Sequence, residues 1–220
     1  MAANEARDAH EALAAIAAEV QVCTRCDLHL GARQGVAGAG KADAEVMLIG
    51  EAPSYFDDRR GYPFSGPSGA FLDELLGLAG LTRDEVYLTN MVKHRLPEGH
   101  ELQPGEIAAC APYLTRQIAA LDPKVIVTLG RYSLARFLPG AKITRIHGQA
   151  QLREGRILVA MYNPAAALRN EALRQTVVDD FTRALPAALA EARRLESEGK
   201  LRRRGAPPDE GEPPQQLSLF

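Results

Sequence analysis

Four short apolar runs punctuate the chain, at 45–49, 86–89, 124–129 and 157–162, and each is rich in Val, Leu and Ile. Runs of that length with no polar alternation predict strands buried on both faces, as in a parallel sheet. Between them the apolar positions recur with helical spacing, at about 68–79, 104–121 and 131–138. A helix over 5–20 precedes the first strand and another over 171–196 follows the last. Pro104 with Glu106 opens one helix well, because proline suits the first turn and an acid suits the positive end of the dipole. Thr82 and Glu85 read as a capping box leading into the second strand. Alternating strand and helix predicts an α/β fold: three layers, α/β/α, around a mostly parallel four-stranded sheet.

The last helix is followed by Leu201-Arg-Arg-Arg-Gly205 and then APPDEGEPPQQ. Proline and acid without core formers predict a disordered tail over 197–220, behind a single domain at 1–196.

Composition narrows the function classes. The chain has 220 residues, 46% of them apolar, enough for one core and a tail. Its net charge of −2 gives no global basic field, so any nucleic-acid surface must be local. No run of about twenty apolar residues is present, which excludes a membrane span. The first twenty residues interleave acids with alanines and read as an amphipathic helix, not a signal peptide. Three cysteines and no export signal point to the cytoplasm.

Chemistry concentrates in the segment after the first strand, GEAPSYFDDRRGYPFSGPSG, from Gly50 to Gly69. Glycines allow a ligand to approach the backbone closely, and prolines stiffen the path. Glu51, Asp57 and Asp58 can position or activate water, and Tyr55, Phe56, Tyr62 and Phe64 offer flat faces for stacking. A second group is Cys23 and Cys26 in a C-x-x-C turn, His94 after the second strand and Cys110 on the third helix. Three thiolates and an imidazole make four ligands, suited to zinc or to an iron–sulfur cluster.

The motifs taken in order resemble the family 4, iron–sulfur uracil-DNA glycosylases. The resemblance runs from about Val22 to Asn170. It rests on Gly50-Glu-Ala-Pro-Ser54, Gly61-Tyr-Pro-Phe-Ser-Gly66, Thr89-Asn-Met-Val-Lys-His94 and Glu106 to Leu114 around Cys110. Lys124 to Gly130, Ile143 to Gly148 and Asn163-Pro-Ala-Ala-Ala-Leu-Arg-Asn170 complete it. The resemblance implies a 4Fe–4S cluster on Cys23, Cys26, His94 and Cys110, with zinc as the alternative. It implies uracil-containing DNA as substrate, single- or double-stranded, and a monomeric hydrolase that starts base excision repair. Uracil in a duplex must be flipped out to be reached. The implied base pocket comprises Ala52, Phe64 as stacking face, Asn90 on the N3–H and O4 edge, and Asn163 toward O2. Glu51 or Asp57 handles the attacking water. Ser68, Gly69 and Arg169 hold the DNA backbone, the first two at a helix start.

Three positions depart from the family pattern. His94 stands where the family has cysteine, as it does in the related family-X proteins that couple covalently to uracil-DNA. Ser54 replaces a glycine. Asn163 replaces a histidine, which keeps an N–H donor but removes the chance of a positive charge, and so predicts a slower enzyme with altered base preference. Two rival readings follow. One is a covalent or tight uracil-DNA trap acting through His100. The other is a non-catalytic iron–sulfur DNA-binding protein. The terminal Gln216-Leu217-Ser218-Leu219-Phe220 resembles the peptide by which bacterial proteins bind the sliding clamp, which implies recruitment to replicating DNA.

Overall fold

The computed structural model describes residues 2–201 and 215–217. Helix α1 (Ala2–Gln21) leads through a 3-10 turn at Asp27–Gly31 to the two-residue strand β1 (Ala39–Gly40). Then follow β2 (Val46–Gly50), α2 (Tyr55–Arg60), α3 (Pro67–Leu78), β3 (Val86–Asn90), α4 (Pro104–Leu121) and β4 (Val125–Leu129). The chain continues with α5 (Arg131–Phe137), α6 (Ile143–Ile146), β5 (Ala150–Arg153), β6 (Arg156–Met161), α7 (Pro164–Arg169) and α8 (Arg174–Ser197). A strand β7 (Gln215–Leu217) comes last.

The strands lie in one sheet, in the order β1-β3-β2-β4-β6-β5-β7. The four expected strands form its parallel centre, with Val46 paired to both Val86 and Val125, and Val125 paired to Ile157. The expected count of four strands is therefore corrected to seven among the described residues. The additions β1, β5 and β7 are antiparallel margins of two to four residues, too short and too polar to show as apolar runs.

Alternate side chains of the central strands go to opposite layers. Leu48, Leu88, Val127 and Val159 meet Leu72, Leu75, Phe181 and Leu185 of α3 and α8. Met47, Ile49, Tyr87 and Ile126 meet Leu13, Leu114 and Leu121 of α1 and α4. Burial on both faces is why these strands read as unbroken apolar runs. No helix among the described residues is long and apolar enough to cross a membrane.

The tail departs from the expected disorder at its described end. The main chain of Gln215–Leu217 pairs with β5, and Leu217 packs against the larger core. The Arg202–Arg204 run and Ser218, Leu219 and Phe220 lie outside the described residues.

Candidate active site

Strands β2 and β3 end side by side, with Gly50 opposite Asn90. Side chains beyond these carboxyl ends converge, as they do in open parallel sheets. A Cβ at Gly50 would lie 2.3 Å from Asn90 Oδ1 and 2.8 Å from Phe64 Cζ. Asn90 Oδ1 and the tip of the Phe64 ring therefore converge over Gly50, close enough that no side chain fits there. Asn90 is 2% exposed, and its buried Nδ2 makes no hydrogen bond among the described residues. A buried amide without a partner is costly unless a ligand completes it.

Phe64 is held in an unusual backbone state, with φ of 52°. For a bulky residue that conformation costs about 1–3 kcal/mol and must be imposed by its surroundings. Arg83 imposes it, donating from Nη2 to the Phe64 carbonyl at 2.9 Å and from Nη1 to the Pro63 carbonyl at 3.3 Å. Asp73 orients the same guanidinium through Nε at 2.8 Å. The Phe64 carbonyl also occupies the space of a side chain at Gly69, where a Cβ would stand 1.7 Å from that oxygen. Gly69 thus allows α3 to start against the Phe64 backbone, and Ser68 precedes it in the first turn.

Over the segment that follows Gly50 lies a cleft of about 280 Å³ lined by Glu51, Ala52, Ser54, Arg95, Asn163 and Arg169, among others. The Glu51 carboxylate makes no hydrogen bond among the described residues, and burial raises its pKa against the opposing pull of Arg131 and Arg169. Asp57 is fully engaged: one oxygen accepts from Ser54 N at 2.9 Å, the other from Ser65 N at 2.7 Å and Ser65 Oγ at 2.9 Å. Ser54 Oγ accepts in turn from Asp57 N at 3.2 Å, a reciprocal cap that starts α2. Ser54 therefore has a structural role where the family pattern has glycine. Asp58 also braces a loop, accepting from Arg33 N at 2.8 Å. Tyr55, Phe56 and Tyr62 are exposed, unlike Phe64.

Asn163 caps α7, its Oδ1 accepting from Ala165 N at 2.9 Å. Its amide nitrogen makes no bond among the described residues and remains available as a donor. His100 is tied by Nε2 to Glu106 at 2.9 Å, within the turn that opens α4. The sequence singled out neither Arg83, Arg95 nor Lys93, and no local pattern marks a cation as buried or bracing. The one available signal was that Lys93 lies within the Thr89 to His94 motif.

The predicted metal ligands lie behind this site. Cys23, Cys26 and Cys110 share one packed cluster with Leu28, Val92 and Tyr113. Tyr113 neighbours Cys23, the Leu28 main chain neighbours Cys26, and the Lys93 main chain neighbours Cys110. Burial pushes the Cys110 thiol up to about 11 and raises Cys26 as well. His94 is buried, with His29 and Asp58 among its ionisable neighbours, and burial lowers its pKa. Among the described residues, no group of three or more His, Cys, Asp or Glu side chains is drawn closely enough to hold a metal ion. Three thiols and an imidazole are nevertheless the donor types that zinc or an iron–sulfur cluster takes.

A family model described as the uracil DNA glycosylase superfamily matches residues 37–186. The chain is 38% identical over 193 residues to the type-4 uracil-DNA glycosylase of Sulfurisphaera tokodaii, covering 83% of this chain and 88% of that protein. It is 39% identical over 181 residues to the type-4 enzyme of Archaeoglobus fulgidus, covering 78% of this chain and 90% of the relative. For the type-4 enzyme of Thermotoga maritima the identity is 36% over 179 residues, covering 79% and 93%. The chain belongs to the uracil-DNA glycosylase superfamily, on its type-4 branch.

Proposed function

We propose that the protein flips uracil out of DNA and hydrolyses its N-glycosidic bond, the first step of base excision repair. The observation that carries this reading is the convergence of Phe64 and the unpartnered Asn90 amide over Gly50, at the carboxyl ends of β2 and β3. A flipped pyrimidine stacks on Phe64, a contact worth roughly 1–3 kcal/mol. The unpartnered Asn90 amide donates to O4 and accepts from N3–H, a pattern that cytosine cannot meet. A cytosine there would leave buried polar groups unpaired, which is how such sites discriminate strongly.

As the bond to deoxyribose breaks, negative charge gathers on the base and positive charge on the sugar. Asn163 donates toward O2 from its free amide nitrogen and stabilises the leaving uracil anion. Glu51 receives the water that attacks the sugar, because its oxygens are uncommitted whereas those of Asp57 are consumed by Ser54 and Ser65. Ala52 lines the cleft beside them. Arg169, with Ser68 and Gly69 at the start of α3, holds the phosphates on either side of the flipped nucleotide.

Cys23, Cys26, Cys110 and His94 would hold a 4Fe–4S cluster, with zinc as the alternative occupant. When bound, the group supplies a cross-link between the segment after α1, the segment after β3, and α4. Iron and zinc analysis of purified protein decides between the two. The Gln216–Phe220 peptide recruits the enzyme to the sliding clamp; loss of clamp affinity on deleting 216–220 is the expected result. The enzyme works as a monomer in a reducing compartment, the cytoplasm, where its three free thiols stay reduced.

The test is incubation with matched DNAs carrying uracil, hypoxanthine or mismatched thymine, followed by alkaline cleavage. Strand scission at uracil is expected. A protein–DNA adduct that survives denaturation would instead support the trap reading. The bond from His100 to Glu106 argues against that role.

A further inference from the structure

Lys93 is among the largest side chains buried without measurable exposure, and no carboxylate among the described residues touches its ammonium. The side chain turns back beneath the end of β3. Its Nζ donates to Thr89 Oγ1 at 2.7 Å, to the backbone carbonyl of Asn90 at 2.8 Å and to Gln117 Oε1 at 2.7 Å. Three donors thus meet three neutral acceptors. The acceptors are anchored themselves: Thr89 Oγ1 donates to the Ala37 carbonyl at 2.6 Å, and Gln117 Nε2 donates to the same carbonyl at 2.9 Å. The main chain of Lys93 is fixed too, its carbonyl accepting from Val36 N at 2.7 Å.

Burying a cation among neutral groups is an unfavourable way to fill core space; an apolar residue of similar volume is commonly as stable or more so. What the ammonium adds is geometry. It reaches the Asn90 carbonyl just where the ladder between β2 and β3 ends, at the pair Gly50 and Asn90. On its other side the same peptide is held by Met91 N, which donates to the Gly50 carbonyl at 3.0 Å, so the ammonium is what fixes the carbonyl face.

We propose that Lys93 is the positioning residue for base recognition, its ammonium locking the Asn90 backbone so that the Asn90 amide meets the pyrimidine edge in one orientation. The inference rests on the uracil-excision reading above. Lys93 touches no substrate and acts entirely through Asn90.

A double-mutant cycle tests it. Single-turnover uracil excision is measured for wild type, Lys93→Met, Asn90→Ala and the double variant, with inhibition by free uracil and binding to abasic-site DNA. Lys93→Met is expected to slow excision about tenfold or more, the size of one well-placed hydrogen bond at the transition state. It is expected to weaken free-uracil inhibition similarly and leave abasic-DNA binding unchanged. In the Asn90→Ala background the same substitution should change the rate by less than about twofold, because coupled residues are not additive. Equal losses in both backgrounds, or parallel losses of uracil and abasic-DNA binding, would overturn the proposal. Should Lys93→Met not fold, the isosteric Thr89→Val removes one acceptor of the same ammonium and runs through the same cycle with the same criteria. A wild-type protein that releases no uracil at all would defeat the excision reading instead, and that outcome is read before any variant is made.

Discussion

Arg83 donates to the carbonyl of Phe64 at 2.9 Å, and it does so while Phe64 sits at a φ of 52°. The guanidinium, itself mostly buried and oriented by Asp73, holds the stacking wall in a backbone state the residue would not choose alone. Replacing Arg83 with alanine should cost about 1.5–3 kcal/mol of stability, the range for hydrogen bonds to a charged group. It should slow uracil excision about tenfold. Thermal unfolding and single-turnover rates check the two parts. A lower Tm with an unchanged rate would show that Phe64 keeps its place without Arg83.

Gly50→Ala should abolish most activity while sparing the fold. The added methyl collides with Asn90 Oδ1 and the Phe64 ring, which it would meet at 2.3 and 2.8 Å, and displaces both. Misplacing recognition groups by that much commonly costs about 10² in rate. Circular dichroism and excision assays together separate this from unfolding.

Glu51 gives a prediction with two opposite signs. Its pKa is raised by burial, and the ionised form is the one that handles water. The excision rate should therefore fall as pH drops, with the midpoint above the ordinary carboxylate range. Stability runs the other way. A carboxyl with a raised folded pKa binds its proton more tightly in the native state, so stability is lost as pH rises through that pKa. Glu51→Gln should slow excision by about 10²–10⁴, remove the acidic limb and raise the Tm at neutral pH. A rate profile unchanged by the substitution would transfer the water-handling role elsewhere.

Asn163→His should accelerate uracil release about tenfold or more, because an imidazole can carry positive charge toward O2. The same change removes the cap on α7 and should cost about 1 kcal/mol of stability. Rate and Tm are expected to move in opposite directions, and a slower variant would refute the donor role of this position.

The parallel centre of the sheet was legible because every residue of those strands is buried and apolar runs are the direct record of that. The helix bounds were legible for the same reason, as with Pro104–Leu121, where proline and acid mark the start. Helix α2 was read as loop, although Ser54 and Asp57 carry the spacing of a capping box. Its Tyr, Phe, Asp and Arg composition hid that signal. Glu51, Asp57 and Asp58 could not be ranked from sequence, since their difference is one of hydrogen-bond partners distant in the chain, such as Ser65 for Asp57 and Arg33 for Asp58. Lys93 and Arg83 were invisible as supports because burial of a cation is decided by tertiary packing alone.

Both outer margins of the sheet are formed by very short strands, two residues in β1 and three in β7. Exposed ladders recruit further chains when they are long and flat. Among the described residues, neither margin presents a ladder of more than three residues. The protein thus meets DNA with little open strand edge at either side of its described sheet, and with Leu217 packed against the core.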